Sequence, residues 1–201
     1  MQLPKKFLEY IFYKRIEVLK KMSKGEPLGP SMMIEFTRTT PAVITDGPAG
    51  LSGSIKMVGF VPKQEYIDNL AKKAEHYAYE EDIRDMKDIA RVLLEEFYRE
   101  EVIDFTKLGG LEMGFKHSWI NIRATGKATL LFYTPPIESY EVRCDVKIHE
   151  DPDDPYTRYL NALHDIFHRS TKRSTYPAYL FTIKEIYDNS VKKNGFGTKI
   201  Y

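Results

Sequence analysis

Cysteine is almost missing from this chain: Cys144 stands alone among 201 residues, so no intrachain disulfide can form. Glutamine (Gln2 and Gln64) and asparagine (five residues) are nearly as scarce beside abundant Lys, Glu and Arg, the bias expected of a chain from a hot environment, a thermophile. No apolar run is long enough to span a bilayer and no charged-then-apolar leader opens the chain, so the expected location is cytoplasmic, without membrane insertion. Net charge is lacking as well. Thirty Lys and Arg against twenty-nine Asp and Glu leave +1, which excludes the broad positive field that gathers nucleic acid or anionic membrane. Three signatures of common enzyme classes are also absent. The glycine-bearing stretch 46–54 lacks the Gly-Lys-Ser/Thr ending of a phosphate-binding loop, Ser52 lacks nucleophile-elbow spacing, and no Glu follows His164 as a zinc protease requires.

What is present is a folding composition: 42% hydrophobic and 13% aromatic residues, enough for one well-filled core in a single domain spanning 1–201. Leu8, Ile11, Phe12, Ile16, Leu19 and Met22 recur at helical spacing until Gly25 and Pro27, and predict an amphipathic N-terminal helix. The texture of 31–62 then turns β-prone, with two or three strands expected among 32–36, 42–45 and 54–60 and a hairpin loop over the glycines of 46–53. Helical periodicity returns over 63–102 in two runs, through Tyr66, Leu70, Ala74 and Tyr77 and through Ile83, Met86, Ala90, Leu93, Leu94 and Phe97, with Asp82 as the expected cap of the second. Strand signals are expected to return only after Gly109 and Gly110.

Strand signals follow at 118–122 and 128–133, and most clearly at 141–149. There Val142, Cys144, Val146 and Ile148 face one way and Arg143, Asp145, Lys147 and His149 the other. Cys144 thus belongs to the core, where a thiol is inert. Asp154 and Pro155 form an N-cap and first-turn pair for a helix reaching His168, and a last strand is expected over 178–187. The tail 192–201 is expected to be either loose or held by a partner.

The densest chemistry lies in 116–123. Read as a strand, this stretch places Trp119, Asn121 and Arg123 on one face and Ser118, Ile120 and Ile122 on the other, after Lys116 and His117. Lys116, Ser118 and Arg123 would donate to phosphate oxygens and an aromatic would flank a planar ring. The alternative is a partly exposed strand whose polar residues meet only water. His164 and His168, four apart on the predicted helix, offer a second possibility as a shared metal site, although spacing marks no third ligand; two half-buried histidines are the plainer reading.

In element order and texture the second half resembles the FMN-binding split-barrel proteins, the group of pyridoxamine 5′-phosphate oxidase and many flavin reductases. The residues that carry it are Lys116–Ile122 leading into Thr125, Gly126 and Lys127, the apolar strand 128–132, the 141–149 strand with acidic Glu150–Asp154, the helix to His168 and the strand 179–187. The resemblance implies an α+β fold, a small antiparallel split β-barrel with one helix before the last strand, to which the helical periodicities add an N-terminal helix and a two-helix insertion at 63–104 that a typical member lacks. It implies FMN as cofactor, held at its phosphate by Lys116, His117, Ser118 and Arg123 with Trp119 adjoining, no required acid-base side chain, a homodimer, and flavin-dependent oxidoreductase activity on a small molecule. The other readings left standing are a non-enzymatic ligand-binding or interaction module and a metal-dependent enzyme using His164 and His168.

Overall fold

The computed structural model describes residues 3–27, 29, 31–81, 83–170 and 172–201. The chain opens with α1 (Lys5–Leu8), which passes through one wide π turn (Glu9–Tyr13) into α2 (Lys14–Ser23), and continues after α3 (Ser31–Phe36) into β1 (Ala42–Thr45), β2 (Ser52–Ile55) and β3 (Gly59–Pro62). Two helices follow, α4 (Ile67–Glu75) and α5 (Met86–Val92), each extended by a π turn, and then β4 (Ile103–Leu111), α6 (His117–Thr125), β5 (Lys127–Thr134), β6 (Glu138–His149), α7 (Pro155–His168), β7 (Ala178–Asp188) and the short β8 (Thr198–Lys199).

The eight strands form one antiparallel sheet in the order β2-β1-β5-β6-β7-β4-β3, with β8 pairing the far end of β7. The hydrogen-bonded ladder is open, yet its two edge strands are consecutive in sequence. Only 56–58 separates them, and it stays tied to the segment before β1 through Lys56 N to Pro41 O and Val58 N to Thr39 O. The sheet therefore curls until its ends nearly meet, which is the split-barrel outline.

The N-terminal helix fills that curl. Phe7 and Tyr10 pack edge-on and tilted against Phe132 of β5 and Tyr140 of β6, while Phe12 meets Phe60 of β3 and Phe105 of β4, so one helix joins opposite sides of the barrel. Such aromatic pairs add to the large apolar area they bury. The alternation of β6 is as its sequence predicts: Tyr140, Val142, Cys144 and Val146 are buried and Arg143, Asp145 and Lys147 exposed. Burial pushes the Cys144 thiol well up, keeping it protonated. α7 begins where Asp154 accepts from the N–H groups of Tyr156 and Thr157.

Four expectations are corrected. Residues 32–36 lie in α3, a helix, and the strand expected over 54–60 is two strands turned about 56–58. Gly109 and Gly110 sit inside β4, where a Cβ on Gly109 would come within 2.5 Å of Val61 and 2.9 Å of Leu160. Gly109 is pressed by β3 and α7, and a Cβ on Gly110 would stand 3.0 Å from Met57 O, so close packing and not a turn accounts for both glycines. Residues 118–122 belong to α6. Their isoleucines favour a strand locally, but both edges of β1 are already taken by β2 and β5, and the crossover from β4 to β5 must pass two strands, β7 and β6. The expected cap Asp82 lies outside the described residues; Asp85 caps α5 by accepting from Lys87 N. The tail is held within the chain, with Ile200 N donating to Ile186 O and Ile186 N to Tyr201 O.

Candidate functional site

α6 is anchored from beneath by Asn121, which is fully buried. Its amide oxygen accepts from Ala49 N at 2.8 Å, and its amide nitrogen donates to Gly50 O at 2.7 Å and to the Thr45 hydroxyl at 3.2 Å. The loop between β1 and β2 is thereby clamped onto the helix, so closely that a Cβ on Gly47 would stand 3.2 Å from the Asn121 Cα. At the far end Gly126 adopts a left-handed conformation (φ 62°) that ends the helix and feeds β5.

β2 runs beside α6 and its alternation divides in two. Ser54 shares a hydroxyl hydrogen bond of 2.9 Å with Ser118, and Lys56 donates to Glu112 at 2.8 Å. Glu112 is only 2% exposed and takes three further bonds, from Tyr179 OH at 2.7 Å, Gly114 N at 2.6 Å and Phe115 N at 2.7 Å. Burial alone would raise its carboxyl; the bonds from Lys56, Tyr179 and the Phe115 N–H more than reverse this and hold it below the usual carboxylate range. Burial, and then the bond to Glu112, push the Tyr179 phenol up. The carboxylate thus fixes the bend before α6, where Phe115 carries a positive φ of 51°.

Above this frame the head of α6 is open to solvent. Lys116 and His117 are both exposed, and the first three N–H groups of the helix precede its first internal bond, from Ile120 N to Lys116 O. Met113, Phe115 and Ile120 are exposed around this turn, as are Ile55 (70%) at the end of β2 and Met57 (52%) in the 56–58 link that follows it. Trp119 packs edge-on to Phe115 at 5.3 Å and against Tyr179, and the Arg123 guanidinium lies 5.0 Å above its ring while pairing Glu150 at 3.0 Å.

Helical rather than strand geometry redistributes the predicted residues. Lys116 and His117 come together at the helix head, Ser118 turns inward with Asn121, and Trp119 and Arg123 meet one turn apart on the flank. Sequence reasoning passed over Asn121, Glu112, Lys56 and Tyr179 as site residues. Lys56 and Glu112 are 56 positions apart, and no local pattern joins them. Glu112, the single charged residue between Lys107 and Lys116, was the one available signal.

His164 and His168 do meet on the last two turns of α7, their ring centres 4.3 Å apart. Among the described residues no group of three or more His, Cys, Asp or Glu is placed to hold a metal ion, and no helix is long and apolar enough to cross a membrane.

The class defined by this architecture is an α+β protein built on an open, curled antiparallel sheet of eight strands. No family model and no curated protein matches the chain. Among solved structures it is similar to HupZ from Group A Streptococcus, at 10% identity and a TM-score of 0.48 over 82% of this chain and 91% of that one. It is also similar to a putative pyridoxamine 5′-phosphate oxidase from Lactobacillus delbrueckii (15% identity, TM-score 0.44, 80% and 93% covered) and to an F420 reductase (14%, 0.44, 80% and 97%). At these values the likeness concerns the outline of the fold.

Proposed function

We propose that this protein binds flavin mononucleotide at the head of α6 and acts, as a homodimer, as a flavin-dependent oxidoreductase on a small molecule. The observation that supports this best is the exposed pair Lys116 and His117 at an open helix N-terminus, bordered by exposed apolar side chains. Backbone N–H groups and the helix dipole favour a dianion there. The donor set fits a phosphate monoester: Lys116 and His117 supply a cation and an imidazole, the first-turn N–H groups add directed donors, and the Ser118 hydroxyl, shared with Ser54, lies just below. Arg123 steadies Trp119 from the next turn. Met113, Phe115 and Ile120 offer a flat apolar margin for a ring, completed by a second copy of the chain.

When bound, the isoalloxazine ring supplies the redox chemistry. The chain's own part is to hold the phosphate, orient the ring and keep water from one face of it. Protein purified from cells is expected to be yellow, or to turn yellow and melt at a higher temperature when saturated with FMN, by mass action. Lys116→Ala and His117→Ala together are expected to weaken FMN by at least about tenfold while leaving riboflavin, which has no phosphate, nearly unchanged. Absence of both colour and melting shift in the wild type overturns the reading.

A further inference from the structure

Away from the head of α6, the end of α7 carries a second cluster of ligating groups, and it is organised. His164 and His168 stand one helical turn apart with ring centres 4.3 Å from each other. Nδ1 of His164 lies 3.1 Å from Oδ1 of Asp165. That carboxylate is itself immobile: it is 1% exposed and accepts from Ser174 N at 2.8 Å, the Ser174 hydroxyl at 2.6 Å and Tyr79 OH at 2.7 Å. A carboxylate acceptor at Nδ1 selects the tautomer with its proton there and leaves the Nε2 lone pair for another partner. This is the arrangement in which metal-binding histidines are usually held.

We propose that His164 and His168 form a two-imidazole site for a borderline divalent transition ion (Cu²⁺, Ni²⁺ or Zn²⁺), with Asp165 as the positioning residue and water filling the other coordination places. Two imidazoles bound cis to one ion, at bonds of about 2.0–2.1 Å, set their ring centres about 4.5–5 Å apart, close to the observed spacing. His168 is the last residue of α7, where the unpaired carbonyls of the helix favour a cation. His164 is partly shielded, with a side-chain exposure of 22%, and His168 is exposed, so an ion can enter from solvent.

The test is calorimetric titration of the full chain with each metal chloride in a non-chelating buffer. One ion per chain is expected, with affinity highest for Cu²⁺ as the general order for nitrogen ligands requires. His164→Ala and His168→Ala should each abolish it, while His76→Ala and His117→Ala leave it in place. Retention of the same stoichiometry and affinity in the His164→Ala, His168→Ala double variant overturns the site. Because Asp165 also holds Tyr79 and Ser174, its role is read without mutation. Long-range ¹⁵N–¹H spectra of the metal-free protein should show His164 as the Nδ1–H tautomer, and a dominant Nε2–H form overturns the positioning role.

Discussion

At the scale of single residues, the buried charges and amides hold the molecule in register. Asp188 is fully buried and paired with Lys6 at 2.7 Å and Lys192 at 3.3 Å, tying the first helix and the tail to the end of β7. Burial opposes its ionisation, but the bonds from Lys6 and Ser190 prevail and hold it at about 2, against 3.8 when unfolded. A depressed carboxyl stabilises the fold fully above its unfolded value and loses that contribution as the pH falls through the folded one. About 2 kcal/mol should therefore drain away between about pH 4 and pH 2. In urea titrations across that range Asp188→Asn should start less stable and show a correspondingly shallower decline; parallel curves for the two proteins would contradict this. Asn121 makes the complementary case for a neutral group. Asn121→Ala strands Ala49 N and Gly50 O beneath α6 and should cost roughly 2–4 kcal/mol in urea unfolding.

At the scale of elements, legibility followed the strength of the local pattern. β6 and α7 could be read from sequence because alternation and an Asp-Pro cap are encoded within a dozen residues. α6 could not. Its isoleucines, tryptophan and threonine suit a strand, and its helical state is set by its place in the crossover from β4 to β5, where it packs on β1 and β2. The same limit hid β4, where Gly109 answers to Val61 and Leu160 and Gly110 to the Met57 carbonyl, and neither to a turn. The termination of α6 is local, however, and can be tested locally. Gly126→Ala, at φ 62°, should cost about 1 kcal/mol and speed amide exchange through the last turn of α6 and the start of β5. Unchanged exchange there would mean the turn is held by packing alone.

At the scale of the whole molecule, the curled sheet leaves an apolar margin unburied on one side. Ile55, 70% exposed, ends β2, an edge strand that ordinarily invites pairing or cover, and Met57, 52% exposed, follows it in the 56–58 link. If the homodimer proposed above uses this margin, Ile55→Asp with Met57→Asp should convert a dimer to a monomer in sedimentation velocity and lower FMN affinity together with it. A dimer that survives both substitutions places the interface elsewhere.

By itself the sequence determined the class of the protein: a disulfide-free α+β chain of balanced charge that from residue 128 onward runs strand, strand, helix, strand, with Lys116 to Arg123 as its densest polar segment. These follow from composition and short-range periodicity, which every residue carries with it. Only the tertiary structure decided that this segment is a helix, that Lys116 and His117 share its open end, and that Glu112, Lys56, Tyr179 and Asn121 build the frame beneath. Those relations join residues 56 to 76 positions apart. Glu112 and Tyr179 meet because β4 pairs β7, and Lys56 reaches Glu112 because the seven-strand path curls until its first and last strands nearly meet.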